Sequence, residues 1–162
     1  MHRCITLAGL SLLPGLLLAQ PFTVSSVHDG DTMRLNCPGE RRTVAVRLER
    51  IDAPEIDQAY GIAARDFLRA LCAVGSPATL IRHGRDRYGR TLGDVDCGHG
   101  SVQEKMLGHG HAWVYPTFAS ERTLVDLQKA AQAGRLGLWS SPKAVAPWVH
   151  RKRTAIERGA PR

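Results

Sequence analysis

Three short islands hold residues whose types and spacing could do phosphate chemistry. The first is Asp29-Gly30-Asp31-Thr32, two carboxylates around a glycine with a hydroxyl beside them. Hard cations take oxygen ligands from a backbone that can bend, and this tetrapeptide offers both. Asp-Gly is also ordinary turn chemistry, so the island alone does not define a site. The second runs from Arg47 through Asp52 to Glu55, with Pro54 before the last acid. Strand alternation puts Arg47 and Asp52 on opposite sides, so they reach one cleft only if the chain bends near Asp52. Two acids and an arginine at a strand end suit a metal and a phosphate. Glu49 and Arg50 read as members of a surface ion-pair cluster around the Pro54 turn. The third is Asp86-Arg87-Tyr88-Gly89-Arg90. An arginine fork matches two phosphate oxygens, and a tyrosine offers a ring for stacking.

The elements that must position these islands follow from periodicity. Strand-like runs cover 22–28, 31–37 and 43–48, then 78–82 and 91–97. Ile62, Ala63, Phe67, Leu68, Leu71 and Cys72 recur at helical spacing. Ser101-Val102-Gln103-Glu104 is a capping box, with Val102, Met106 and Leu107 as the buried side of its helix. Leu124, Leu127, Ala130, Ala131 and Leu136 mark a third helix. Five short strands with about three flanking helices predict an α+β fold, a five-stranded OB-like β-barrel. The basic segment 143–162 lacks periodicity and is expected to be a loose tail.

The 162 residues fit one domain, here residues 20–142, with a short appendage at each end. Residues 1–19 read as a secretory signal peptide: His2 and Arg3, an apolar run from Ile5 to Ala19, then Gln20. The run is short for a membrane span, so no stable membrane insertion is expected after cleavage. Lys and Arg total 22 against 15 acids; without residues 1–19, which hold Arg3 and no acid, 21 remain and the net charge is +6. A basic exported chain suits an anionic partner, either nucleic acid or a lipid surface. Cys37, Cys72 and Cys97 remain in an oxidising compartment, where one disulfide is expected; the sequence leaves its pairing open. Zinc is disfavoured by their wide spacing. His28, next to the first island, could face the cleft, although such a residue is usually exposed.

Taken together the islands resemble the staphylococcal nuclease (thermonuclease) family. The matching pieces are DGDT at 29–32, RLxxIDAPE at 47–55, YGxxA at 60–64, DRYGRTL at 86–92, GHAWVY at 110–115 and GLWS at 137–140. The resemblance implies an OB-fold barrel and one Ca²⁺ held by Asp31, Asp52 and the carbonyl of Ala53, a position where the family usually has Thr. It implies that Glu55 holds or activates the attacking water and that Arg47 and Arg90 bind the phosphate. Arg87 and Tyr88 fall where the family contacts a neighbouring phosphate, and Trp113 and Tyr115 where aromatics line the nucleotide pocket. The implied protein is a secreted or periplasmic, monomeric calcium-dependent endonuclease. It would cut the P–O5′ bond of DNA and RNA, preferring unpaired strands, and leave 3′-phosphates. The rival expectation is a non-catalytic OB-fold nucleic-acid-binding protein of the cell envelope.

Overall fold

The structure is a computed structural model that describes residues 21–159. The signal-peptide expectation lies outside those residues.

Five strands close into a barrel. They are β1 (Phe22–Val27), β2 (Thr32–Asn36), β3 (Thr43–Leu48), β5 (Pro77–Arg85) and β6 (Thr91–Asp96), in the order β1-β2-β3-β6-β5. β4 (Ile51–Asp52) pairs separately with β7 (Trp113–Val114). Alternation explains which side chains enter the barrel. In β2, Met33 and Leu35 are buried while Arg34 and Asn36 face out; in β6, Thr91, Gly93 and Val95 turn inward. Val24, Val46 and Leu48 complete the interior. β3 and β6 run parallel, with Val46 opposite Thr91, and this one parallel pairing seals the barrel. Closure pairs each barrel strand on both sides. β5 is longer than the 78–82 expected, because a register shift between Arg82 and Gly84, with His83 as the extra residue, lets pairing continue to Arg85.

Among the described residues four α-helices surround the barrel, where about three were expected. They are α1 (Gly61–Leu71), α2 (Val102–Gly108), α3 (Arg122–Ala133) and α4 (Pro147–Gly159). α1 buries Gly61, Ala64 and Leu68, whereas Ile62 is exposed. The expected stripe holds at Phe67, Leu68, Leu71 and Cys72, and only in the first turn do small Gly61 and Ala64 face the barrel in place of Ile62 and Ala63. Ser101 caps α2 by accepting from the Glu104 N–H at 3.3 Å, and Val102, Met106 and Leu107 are buried as read from the sequence. Gln103 is also wholly buried. Its amide donates to Gly93 O at 3.1 Å and accepts from Val95 N, which fixes α2 on β6. In α3 the buried residues are Leu124 and Ala131. A disulfide joins Cys72, at the end of α1, to Cys97, just past β6. Cys37 is a buried free thiol.

α4 replaces the loose tail expected from 143 onward. It is held at its start by buried Ala146 and Pro147 and by Trp148, whose ring meets Trp113 and Tyr115 at centroid distances of 5.8 and 6.3 Å. Among the described residues no helix is long and apolar enough to cross a membrane.

Candidate active site

The Asp29-Gly30-Asp31 turn joins β1 to β2. The Asp31 N–H donates to Asp29 Oδ1 at 2.9 Å, which forms an Asx turn. The Leu48 N–H donates to Asp31 O at 2.8 Å, so the turn is fastened to the end of β3. Gly30 is required by space: a Cβ there would lie 2.6 Å from Ala53 Cβ and 2.9 Å from Ala64 Cβ. The turn is thereby pressed against the 52–55 segment and α1.

That segment reaches the turn through a bend. β3 ends at Leu48, Arg50 takes a left-handed conformation with φ 72°, and β4 begins at Ile51. The bend falls two residues before Asp52 and breaks the alternation that would otherwise separate Arg47 from Asp52. Arg50 is then tied to Asp94 at 2.6 Å and to Glu121 at 3.4 Å, the ion-pair role expected of it. Glu55 sits on a backbone packed so closely on Gly61 that a Cβ at 61 would be 1.8 Å from Glu55 O.

Two buried carboxylates converge here. Asp52 is 0 % exposed and Asp31 6 %. Asp31 accepts from the Ala53 N–H at 2.8 Å and from the Thr32 hydroxyl at 3.1 Å. Arg47 bridges the pair, with Nη1 3.1 Å from Asp31 Oδ2 and Nη2 2.8 Å from Asp52 Oδ1. Nη1 also donates to the carbonyls of Leu48 and Ile51, so the fork is fixed in place.

Arg90 arrives from the β5–β6 loop. Its Nε donates to Asp86 Oδ2 at 2.7 Å, and Nη1 donates to Thr32 Oγ1 at 3.2 Å. Asp86 also accepts backbone N–H bonds from Tyr88 and Arg90. Partial burial opposes the charge on Asp86, but the bonds from Arg90 and Tyr88 win and hold its carboxyl below the usual range. Tyr88 is exposed, with the guanidinium groups of Arg87 and Arg90 at 5.4 and 5.7 Å from its ring centroid.

Asp31, Arg47, Asp52, Glu55, Arg90 and Tyr115 line one cleft of about 460 Å³, together with Arg87 and Tyr88. Ala53 is buried behind it. Trp113 corrects an expectation: it does not line the cleft. Its ring packs edge-on against Trp139 at 4.2 Å and against Trp148, which cover that end of β7. His28 is exposed and also outside the lining.

The structure adds four residues that sequence reasoning did not assign. Asp29 lines the cleft; burial, then the Asp31 charge, pushes its carboxyl up to about 6. Thr32 and Asp86 position Arg90, and both lay inside the motifs already singled out. The fourth is Arg151 of α4. Its Nη2 lies 2.7 Å from Asp52 Oδ2, and its Nη1 2.6 Å from Glu55 Oε1 and 3.2 Å from Asp52 Oδ1. Burial works against the Arg151 charge, but the bonds it donates to Asp52 and Glu55 hold the proton more tightly than usual. Asp52 is pushed above the carboxylate range, first by burial, with Arg151 opposing.

Among the described residues, no three His, Cys, Asp or Glu side chains group into a metal cage. A cation here would rest on Asp31, Asp52, a backbone carbonyl and water. The donor chemistry fits a hard ion, because both side-chain ligands are carboxylates. Arg151 is itself a cation drawn onto wholly buried Asp52, so the site does attract positive charge.

A closed five-stranded barrel with flanking helices, whose cleft gathers acids and arginines, defines an OB-fold domain built to meet an anion. The family model described as "Staphylococcal nuclease homologue" matches residues 45–141, and the chain belongs to the staphylococcal nuclease family. An Escherichia coli protein named "Uncharacterized endonuclease" is 40 % identical over 131 residues, covering 80 % of this chain and 84 % of the relative. A Haemophilus influenzae protein of the same name is 33 % identical over 161 residues, covering 96 % of this chain and 89 % of the relative. A protein of Oryza sativa subsp. japonica named "Probable staphylococcal-like nuclease CAN1" is 38 % identical over 107 residues, 66 % of this chain and 32 % of its own length.

Proposed function

We propose that the chain is a calcium-dependent nuclease, a phosphodiester hydrolase that cuts DNA and RNA. The observation that carries this reading is the Arg47 fork bridging buried Asp31 and Asp52 in a cleft that also holds Glu55 and Arg90.

Asp31 and Asp52, with the Ala53 carbonyl, would hold Ca²⁺. When bound, the ion supplies Lewis acidity and neutralises diester charge. Glu55, at the rim, orients a water in line with the P–O5′ bond and accepts its proton. A carboxylate is a weak base at neutral pH, so orientation contributes more than proton abstraction. Arg47 and Arg90 direct N–H donors at the equatorial phosphate oxygens, where charge grows as the fifth bond forms. Asp86 and Thr32 keep the Arg90 fork aimed without spending its remaining donors. Arg87, Tyr88 and Tyr115 contact the flanking nucleotides, and the exposed Tyr88 ring favours unpaired bases. No step uses a ribose hydroxyl, so both nucleic acids serve.

Export to the periplasm or medium is part of the same proposal. The apolar run before Gln20 and the Cys72–Cys97 disulfide both suit an oxidising compartment.

The test is to incubate purified protein with single-stranded DNA and RNA in Ca²⁺, Mg²⁺ or chelator and to analyse the ends. Calcium-dependent shortening with 3′-phosphate ends is expected. Retardation of DNA on a gel without shortening would identify a binding protein instead.

A further inference from the structure

Arg151 lies beyond the 45–141 segment that the family model matches, yet it enters the centre of the site. Arg47 already occupies Asp52 Oδ1, and Arg151 takes Oδ2 as well as Glu55 Oε1. With α4 in place, both oxygens of Asp52 are committed to guanidinium donors. Three guanidinium donors thus fill three of the four lone-pair sites of Asp52, two of them from Arg151, so a divalent ion ligated there would sit against the Arg151 guanidinium and the two positive charges would share one buried carboxylate.

We propose that Arg151 is a built-in competitor for the cation position, so that α4 straps the metal-free site and is displaced when the cation binds. This rests on the calcium reading above. The strap is built to move. It follows a connecting segment at 141–146, and polar single contacts hold much of it: Gln58 Nε2 donates to Val145 O at 2.6 Å, and His150 meets Asp57 at 3.2 Å. Past His150 every described residue except Thr154 is exposed. The same displacement unseats Trp148 from Trp113 and Tyr115, which gives the movement an optical signal. Arg151 thereby sets the cation concentration at which the cleft opens to a phosphate chain.

The experiment is calorimetric titration of calcium chloride into chelator-stripped full chain, as wild type, Arg151→Ala and Arg151→Lys. Arg151→Ala should bind Ca²⁺ more tightly by about tenfold, a coupling of ordinary size between exclusive occupants. Arg151→Lys keeps the charge but loses the fork, so its affinity should fall between the two. In wild type, tryptophan emission should change along the same calcium curve, and Trp148→Phe should remove that change. Equal or weaker Ca²⁺ binding by both Arg151 variants overturns the strap while leaving the calcium site standing. A calcium-insensitive emission in wild type that still binds Ca²⁺ also overturns it. No Ca²⁺ binding by any of the three proteins overturns both the strap and the calcium reading.

Discussion

Arg90 donates from Nη1 to the Thr32 hydroxyl at 3.2 Å, and that hydroxyl donates in turn to Asp31 at 3.1 Å. One side chain therefore joins Arg90 to Asp31, the groups to which the proposed function gives the phosphate and the cation. Thr32 is 8 % exposed, so Thr32→Val fits the space while cutting both bonds. The barrel should remain folded, with kcat lowered roughly ten- to a hundredfold, the scale of a small misplacement of catalytic groups. Steady-state cleavage of a short DNA, alongside circular dichroism, measures both.

Glu55 and Arg90 lie toward the surface of the cleft, and their removal should separate activity from stability. Glu55→Gln and Arg90→Ala should each lower the cleavage rate by at least about 10²-fold, the first as for loss of a general base and the second as for loss of one transition-state donor. Each should leave the thermal midpoint nearly unchanged. A well-folded, active Arg90→Ala protein would refute its role.

Arg47 differs, because it serves structure as well as chemistry. Its removal leaves buried Asp31 without a cationic partner, while Asp52 keeps Arg151, and breaking a buried pair typically costs about 3–5 kcal/mol. Arg47→Ala should therefore lose activity and melt well below Arg90→Ala in chelator. Calcium should recover part of the difference, which a thermal scan with and without the ion will register.

These three predictions depend on geometry that was legible to different degrees in the chain. The barrel strands were readable because alternation is local, as in Met33 and Leu35 against Arg34 and Asn36. The DGDT and DRYGR turns were readable because Asp and Gly carry their own turn chemistry. The meeting of Arg47 with Asp52 required a bend that Arg50 supplies through a left-handed backbone, which nothing in a strand pattern announces for an arginine. Arg151 reads in the sequence only as part of a basic run, Arg151-Lys152-Arg153, suited to an anionic surface, and its approach to Asp52 was hidden for another reason. α4 is anchored by Trp148 and a few polar contacts, not by an apolar stripe, so periodicity had nothing to detect. Trp113 and Tyr115 stand two residues apart and Trp148 meets both rings, but Trp139 packs on Trp113 alone, and neighbours distant in sequence made that distinction.

The disulfide closes a loop over a sequence separation of 25 between α1 and β6. Loop-closure entropy for that length gives about 3–4 kcal/mol. The Cys72→Ala, Cys97→Ala double variant should lose stability on that scale in chemical denaturation. Cys37→Ala should lose less, since no cross-link depends on it.

His111 supplies a pH dependence. Its ring stacks on Phe67 at 3.8 Å, its Nδ1 has no partner, and burial, then the His109 charge, pushes it down to about 4. The folded state therefore resists a proton that the unfolded chain accepts near pH 6.5. Between pH 4 and 6.5 the unfolded state binds more protons, so this contribution to stability rises with pH and is complete above 6.5. Asp29, raised to about 6, acts in the opposite sense between 3.8 and 6. Comparing thermal midpoints of His111→Phe and wild type across pH 4–7 isolates the histidine. The midpoint difference should narrow as pH rises if the proton is the cause, and a pH-independent difference would assign His111 to packing alone.

The central claim is that Asp52, with Asp31 and Arg47, forms the seat of a calcium-dependent phosphodiesterase. Cleavage of single-stranded DNA by wild type and Asp52→Asn over a calcium titration tests it most directly. Wild type should be silent in chelator and saturate with calcium, while Asp52→Asn falls by at least about 10²-fold. Full wild-type activity in chelator, or an Asp52→Asn protein as active as wild type at every calcium concentration, would contradict it.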